Sequence, residues 1–394
     1  MLLTNSWYRA VFALFSMLGL TNASLLARLP EVRESVHTTT AGIGFILLGF
    51  AIGSLGGLTI AGRLIERVGA RPITTWGFVG MGVAALGQAL TVFAGTDVGL
   101  FIAFVASGLV GSAVDVALNV NGADLEQRLG KTVMPSLHAG FSIGTFVGVG
   151  IGVVGTASEL SLPLQVTVLA VVTSAVAVWL VRDIDVSAHR PEERAEKGVS
   201  TPVWTRPAVV ALGAGIFAMT LAEGASNDWL VLALVDDYGE SRTNGAIAYA
   251  CLMVAMIITR IIGGRISDRL GRARTLQLFA AIGAVGIVTV ILSGNLWLAY
   301  LGSALWGAGV ALGFPLFLSA AGERENPART VSFVASTGYM AFLVGPPVLG
   351  LVAQSIGLLT MFWILVAAIL ASALFARSAD GRPSDQSATP KLVE

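Results

Sequence analysis

A charged segment occurs twice in this chain, 202 positions apart, and long apolar runs flank both copies. The first copy starts at Gly62 and the second at Gly264, and each carries an acid between arginines. Such a segment lies in water or among lipid head groups, whereas its flanks fit hydrocarbon. The repeat therefore predicts a duplicated membrane protein in which each copy is a hairpin that turns on glycine between two spans. The predicted hairpin residues are Gly62, Arg63, Glu66, Arg67 and Gly69 in the first copy, and Gly264, Arg265, Asp268, Arg269, Gly271 and Arg272 in the second.

The composition of the chain favours the same class. Hydrophobic residues make up 55% of the 394 residues, charged residues 12%, and the mean hydropathy is +0.80; soluble domains carry roughly 25% charged residues. The formal net charge is zero, so nothing indicates nucleic acid as a partner. The single cysteine, Cys251, lies in an apolar run and is predicted to be a core residue.

Twelve apolar segments are long enough to cross a bilayer, which takes about 20 residues of helix. The predicted fold is an all-α membrane protein of about 12 transmembrane helices, in two six-helix halves that form parallel pseudo-repeats. The predicted spans are 8–28, 41–62, 73–95, 98–122, 134–157, 162–181, 207–233, 244–264, 274–293, 296–320, 330–353 and 357–376.

The polar stretches divide the chain. Residues 182–206 form the only long polar segment between spans and are predicted to link a bundle at 1–181 to a second bundle at 207–376. The tail at 377–394 is small, polar and poor in apolar residues, so it is predicted to be disordered. Alternating loops place 20 Lys and Arg on one side and three on the other. By the positive-inside rule both termini and the linker are predicted to be cytoplasmic, in an integral cell-membrane (inner-membrane) protein.

The hairpins resemble the loop signature of the major facilitator superfamily, glycine-x-leucine-x-aspartate-arginine-x-glycine-arginine. The second copy is nearly complete, and the first has Glu66 in place of the aspartate and Ala70 before Arg71. This resemblance implies a transporter fold over the whole chain and no enzyme activity. The signature carries no information about substrate.

A finer resemblance is to the fucose permease-like symporters. Span four has the acid-x-x-x-asparagine pattern as Asp115 and Asn119, and span five opens with His138. In that branch the acid is implicated in proton coupling, which the resemblance implies for Asp115. The branch also has a functional acid in its first helix, where this chain has Asn22. Fucose itself is therefore not the expected substrate.

Physical reasoning singles out two acids in apolar spans. A charge at the bilayer centre costs about 2.5–3.5 kcal/mol, so such a side chain faces a cavity or a partner. Asp115 shares a helical face with Asn119, a pair suited to hydroxyls, amines or a proton, or else to a structural hydrogen bond between helices. Glu223 has Asn227 one turn on and is a second candidate proton carrier, with helix packing as the alternative.

Other polar residues have more open roles. Asp228 is predicted to form a gate pair with Arg28, or else to be solvated. His138 is either a proton relay or a packing residue. Asn22 and Tyr339 are predicted to line the cavity.

Several charged groups are assigned outside the site. Arg260 lies four residues before Gly264 and is predicted to reach the cytoplasmic surface or to pair with a hairpin acid. Asp124 and Glu126 are read as part of a solvated loop. The hairpins themselves are predicted to act in conformational change, since Glu66 and Asp268 can bond arginines or helix ends in one state and release them in the other.

These patterns predict a secondary active transporter that moves a small polar, sugar-like solute by alternating access, coupled to protons through Asp115 or Glu223. The rival is a proton-coupled exporter of amphipathic compounds, although span five lacks the proline of the drug-efflux signature. A non-transporting membrane sensor is a remoter alternative. No cofactor beyond the coupling proton is expected, and three scattered histidines and one cysteine give no metal site. The expected partners are the lipid bilayer and the solute, and the oligomeric state is left open, with a monomer compatible.

Overall fold

A computed structural model describes residues 5–38, 40–184 and 202–380. The side chain of the predicted site residue Asn22 lies outside this description, as do most of the predicted linker and residues 381–394 of the predicted tail. The described chain consists of helices and the short turns between them.

Fourteen α-helices follow one another along the described chain. They are α1 Ser6–Leu26, α2 Leu29–Ser35, α3 Thr40–Val68, α4 Ala70–Phe93, α5 Asp97–Leu129, α6 Met134–Ala157, α7 Leu162–Leu180, α8 Pro207–Asp236, α9 Arg242–Leu270, α10 Arg272–Leu292, α11 Leu296–Val310, α12 Gly313–Gly322, α13 Pro327–Ile356 and α14 Leu358–Phe375. Twelve segments of these residues are long and apolar enough to span a membrane, with α11 and α12 counted together as one. The predicted all-α fold with 12 spans is confirmed.

The two halves of the molecule repeat one packing scheme. In the first half, α1 packs on α6, α3 on α5, and α4 on both α5 and α7. In the second half, α8 packs on α13, α9 on α11, and α10 on both α11 and α14. Equivalent spans therefore make equivalent contacts, as expected for a parallel duplication. The halves meet where α3 packs on α13, α6 on α9, and α5 on α12.

Large apolar side chains cover the outer surface of the spans. Phe45, Trp76, Phe146 and Leu374 are all more than two-thirds exposed. In water such an apolar surface would promote aggregation. In a bilayer it faces lipid, so its exposure carries no free-energy penalty. The buried Asp115 and Arg260, described below, bond across the halves instead.

The two charged hairpins turn on their second glycine, which corrects the positions predicted for the span ends. Gly69 and Gly271 have φ of 87° and 81°, a conformation that side-chain-bearing residues avoid. Gly62 and Gly264 lie inside α3 and α9, so each helix continues for about two turns beyond the predicted end of its span. We refer to the side of the molecule that carries Gly69, Gly271 and both ends of the linker as the linker side.

Span ten is interrupted, which the sequence analysis did not predict. Helix α11 ends at Val310 and α12 begins at Gly313, in the most deeply buried of the spans. Pro315 explains the break, because it has no N–H to donate to the carbonyl of Ala311 four residues earlier. A carbonyl freed in this way at membrane depth needs another donor.

The ends of the linker and the start of the tail are ordered. Val181–Asp183 and Val203–Thr205 form single 3-10 turns. Ala376–Ala379 forms another, where Asp380 accepts a 3.0 Å bond from the backbone N–H of Ala273 and Arg324 donates to the Ser378 carbonyl. Residues 377–380 of the predicted disordered tail are therefore folded, because Asp380 accepts a hydrogen bond from a backbone N–H in the first turn of α10.

Candidate functional site

Asp115 lies in the middle of α5, where that helix faces the second half. Its side chain is 5% exposed, and Oδ2 accepts a 3.2 Å hydrogen bond from the hydroxyl of Tyr339 on α13. Helix α5 continues 14 residues beyond Asp115, about 21 Å at 1.5 Å per residue. Among the described residues, no basic side chain lies within ion-pairing distance of this carboxylate. Two of the predicted site residues thus meet across the interface between the halves.

Asn119 and His138 extend this contact within the first half. The Asn119 side-chain amide donates to the Asp115 carbonyl at 2.9 Å, and its Oδ1 lies 3.1 Å from His138 Nε2. An amide oxygen only accepts, so this geometry places a hydrogen on Nε2. The imidazole also packs between the rings of Phe15 and Phe314, at 5.1 and 5.5 Å between centroids. His138 therefore has the contacts of a packing residue and is linked to Asp115 through Asn119.

Arg260 is the main correction to the sequence analysis. It does not reach the linker-side surface or pair with a hairpin acid, but is 6% exposed and bonded within the interface. Its Nη2 donates to Glu223 Oε1 at 2.9 Å, its Nη1 to Ser142 Oγ at 2.6 Å, and its Nε to the Ala311 carbonyl at 3.2 Å. The physical reason is the longer α9: measured from Gly271, Arg260 is 11 residues deep, about 16 Å.

Glu223 is therefore an ion-paired acid. Its side chain is 13% exposed, and Arg260 Nη2 is the one donor to its carboxylate among the described residues. Farther along α8, the Tyr249 hydroxyl donates to Asn227 Oδ1 at 3.0 Å, and both Asn227 and Asp228 are exposed.

The predicted gate pair of Arg28 with Asp228 is not formed. Arg28 is buried and donates instead to the Glu31 carboxylate, to Gln165 Oε1 at 2.9 Å, and to the Leu160 carbonyl at 2.8 Å. The hydrogen bonds that Glu31 accepts from Arg28 and Thr156, with the charge of Arg28, hold the pKa of Glu31 below its ordinary value. Arg28 was assigned to the gate because it ends span one, yet the short helix α2 brings Glu31 within reach. The exposed Asp228 fits the alternative of a solvated residue.

On the linker side each hairpin bonds the opposite half. Arg329 Nε, at the start of α13, donates to Glu66 Oε2 at 2.7 Å, and the Thr132 backbone N–H donates to Asp268 Oδ1 at 2.7 Å. The motif glycines permit this approach. A Cβ on Gly264 would lie 2.1 Å from the Thr132 carbonyl oxygen, so the two backbones touch there.

Glu126 corrects a second expectation, because it is a buried acid rather than part of a solvated loop. Helix α5 continues to Leu129 and carries Glu126 under the start of α6, where Oε1 accepts bonds of 2.7 Å from the backbone N–H groups of Val133 and Met134. Oε2 accepts from Ser319 of α12 and lies 3.7 Å from Arg272 Nη2. A carboxylate at a helix N-terminus is electrostatically favourable, so Glu126 fastens both halves on this side.

Sequence reasoning missed Ser142, Arg260, Glu126 and the Ala311 carbonyl as members of these contacts. Proline four residues after Ala311 is a usable signal for a freed carbonyl, and the second glycine of the hairpin is a usable signal for the end of α9. Ser142 carries no signal of its own. Among residues 5–38, 40–184 and 202–380, no cluster of three His, Cys, Asp or Glu side chains could hold a metal ion.

This arrangement, two packed six-span halves with polar contacts between them, is that of a polytopic membrane transporter. A sequence model of the Major Facilitator Superfamily matches residues 9–324 and 231–393. The chain therefore belongs to the Major Facilitator Superfamily, whose members are transporters and not enzymes.

Individual relatives agree with the family. An MFS-type transporter of Yersinia pestis is 28% identical over 366 residues, covering 92% of this chain and 93% of the relative. The fucose:proton symporter of E. coli superposes with a TM-score of 0.74 at 16% identity, over 95% of this chain and 98% of the symporter. A structure of FucP in the outward conformation gives a TM-score of 0.78 at 18% identity, over 95% and 100%. At these identities the structural likeness concerns the fold.

Proposed function

We propose that this transporter moves a small polar, sugar-like solute by alternating access and couples that movement to protons through Asp115. The observation that carries the proposal is the bond between Asp115 and Tyr339, which places a buried carboxylate on the interface that must open and close. A carboxylate in this position exchanges its bonding partner whenever the halves separate.

Charge compensation favours Asp115 over Glu223 as the proton carrier. Glu223 is neutralised by Arg260, so it needs no proton to remain in a low-dielectric site. The described partner of the Asp115 carboxylate is a hydroxyl, which brings no positive charge. A bound proton neutralises Asp115 during the transition, and its release to water restores the charge.

The contacts on the linker side support an outward-facing state, with the linker side cytoplasmic. Glu66, Asp268 and Glu126 each bond the opposite half there, so this end of the interface is closed. Breaking these bonds is the step that would open the site to the cytoplasm.

The solute class is supported by the polar groups around Asp115. The carboxyl of Asp115, the amide of Asn119 and the phenol of Tyr339 suit a solute rich in hydroxyls. A fold shared with a fucose:proton symporter is compatible with this class and leaves the particular solute open.

The test compares two neutralising variants with a control. A solute is first identified by thermal shift from a panel of sugars, polyols and sugar acids, because a ligand of the native state raises its stability. In proteoliposomes, Asp115→Asn is expected to lose uphill accumulation driven by a pH gradient while retaining counterflow. Glu223→Gln is the comparison. Asp97→Asn is the control, because Asp97 lies at the exposed start of α5, the helix that carries Asp115.

The outcomes separate the candidates. If Asp115→Asn accumulates solute normally while Glu223→Gln does not, the proton carrier lies on α8. If both accumulate normally, coupling through these carboxyls is wrong.

A further inference from the structure

Arg260 is a permanently charged group buried between the halves. Its guanidinium donates to three helical elements, through Ser142 of α6, Glu223 of α8 and the Ala311 carbonyl after α11. These bonds use three of the five N–H groups that a guanidinium offers. Because arginine is not deprotonated in proteins, this charge requires an anion in every state of the transport cycle.

The three partners of Arg260 differ in how firmly they are held. The Ala311 carbonyl is fixed by the break in span ten, and Ser142 Oγ also donates to the His138 carbonyl at 3.2 Å. Glu223, in contrast, contacts the guanidinium through a single oxygen, and its second oxygen accepts no bond from the described residues. A carboxylate bound to arginine by one oxygen forgoes the bidentate geometry that makes such pairs strong. Glu223 is therefore the exchangeable partner.

We propose that Arg260 binds the carboxylate of the transported solute in place of Glu223, and that the solute class is a hydroxylated carboxylic acid such as a sugar acid. The proposal rests on the proposed function, since it places the solute in the same interface. In the empty state Glu223 supplies the anion that the buried cation requires. In the loaded state the solute supplies it, with two oxygens available for the outer edge of the guanidinium. The displaced Glu223 carboxylate, 13% exposed in the empty state, is then compensated by water on the open side of the interface.

The groups around Arg260 suit the rest of such a solute. The Tyr249 hydroxyl donates to Asn227, one turn along α8 from Glu223, and the Tyr339 hydroxyl donates to Asp115. Phenols and amides bond hydroxyls as donors and as acceptors. A neutral sugar would leave the Arg260–Glu223 pair in place, and an amino sugar would bring a second cation next to Arg260.

The experiment uses probes that differ in one charged group. Thermal shifts of the full chain in detergent are measured with D-glucuronate, D-glucose and D-glucosamine, and with gluconate, sorbitol and glucamine as an open-chain series. The acids are expected to raise the Tm in a saturable manner and the neutral and amine probes to have little effect. Glu223→Gln is expected to bind the acids several-fold more tightly, because the internal competitor loses its charge.

Loss of the cation is tested in a variant that remains charge-balanced. Arg260→Gln alone leaves Glu223 unpaired, so the double variant Arg260→Gln with Glu223→Gln is used to preserve folding. It is expected to bind the acids at least tenfold more weakly than Glu223→Gln, while Ser142→Ala changes binding by only a few-fold.

The inference is overturned if glucose or glucosamine shifts the Tm as much as the acids, if the double variant binds the acids as Glu223→Gln does, or if no acid shifts either the wild type or Glu223→Gln. The proposed function is judged separately. The coupling test in proteoliposomes reads gradient-driven accumulation of whichever solute the panel identifies, so a failure of this acid-binding series leaves that test unaffected.

Discussion

Arg329 Nε donates a 2.7 Å hydrogen bond to Glu66 Oε2, joining the first hairpin to the start of α13 in the opposite half. The second hairpin makes the equivalent contact with the first half, where Asp268 Oδ1 accepts a hydrogen bond from the backbone N–H of Thr132, just before α6. The duplicated motif is thus used twice, once from each half, on the same side of the molecule. Both bonds are partly exposed, so each is a weak contact suited to repeated breaking.

Neutralising either hairpin acid should change the rate of transport more than solute affinity. An exposed ion pair such as Arg329–Glu66 contributes about 0.2–1 kcal/mol, and we expect a similar contribution from the exposed bond between Asp268 and the Thr132 backbone N–H. Glu66→Gln and Asp268→Asn are therefore each expected to shift the balance of end states, and hence the rate, by about two- to fivefold. Solute affinity should stay within a few-fold, because these residues lie at the linker end rather than beside Asp115.

The measurement is initial transport rate and equilibrium binding on the same preparations. Glu34→Gln, at an exposed position of α2 away from the interface, is the matched control. Loss of binding in a well-folded Asp268→Asn protein would show that this hairpin belongs to the solute site instead.

Replacing Gly264 by alanine should keep the linker side from closing. The added Cβ would lie 2.1 Å from the Thr132 carbonyl oxygen, and both groups are held by backbone. Gly150→Ala is the control, because Gly150 is also helical and has no heavy atom within 4 Å of the added Cβ. In an isolated helix either substitution would stabilise the helix by about 1 kcal/mol. A loss of closure in Gly264→Ala would therefore come from the steric clash and not from a weakened helix.

Closure is measured by the reactivity of a buried cysteine. Ala328→Cys, introduced into a Cys251→Ser background, places the thiol where the start of α13 meets Gly62. Faster labelling from the linker side in Gly264→Ala, with no change in Gly150→Ala, is the expected result. Equal labelling in both would mean that the contact at Thr132 does not control access.

The topology prediction follows from the charge bias of the loops. With 20 Lys and Arg on one side against three on the other, reporters that work only in the cytoplasm should be active when fused after Lys197 and at the C-terminus. A reporter that works only outside the cytoplasm serves as the control at both positions. Activity of that second reporter at either position would contradict the proposed orientation of the linker side.

The fold followed from the sequence because membrane spans are specified locally. Each span is a predominantly apolar run, and the duplicated hairpins fix how the runs are grouped. Asp115 and Glu223 were found for a related reason: a carboxylate in an apolar run stands out whatever its partner.

The partners of Asp115 and Arg260 could not be read in the same way, since Tyr339 and Ser142 each come from the opposite half. Tyr339 is 224 positions from Asp115 along the chain, and Ser142 is 118 from Arg260. Arg260 lies about two helical turns deeper than predicted, because α9 continues past the first glycine of the hairpin and ends at the second. Glu126 was misread because α5 continues beyond the apolar run.

The last prediction concerns the energetic coupling of Arg260 and Glu223. Removing one partner of a buried ion pair leaves an uncompensated charge and costs about 3–5 kcal/mol, so Arg260→Gln and Glu223→Gln should each lower the Tm substantially. The double variant removes both charges and should be more stable than the sum of the single effects indicates, with a coupling energy of about 1–3 kcal/mol. Ser142→Ala is the control, because it removes one hydrogen bond to a charged group and leaves the ion pair intact, at a cost of about 1.5–3 kcal/mol. The coupling energy is measured in a double-mutant cycle, from the unfolding of the wild type, the two single variants and the double variant in one detergent. Additive losses from the two single variants would mean that the pair is not formed in the folded protein, and Arg260 would then need a different anion between the halves.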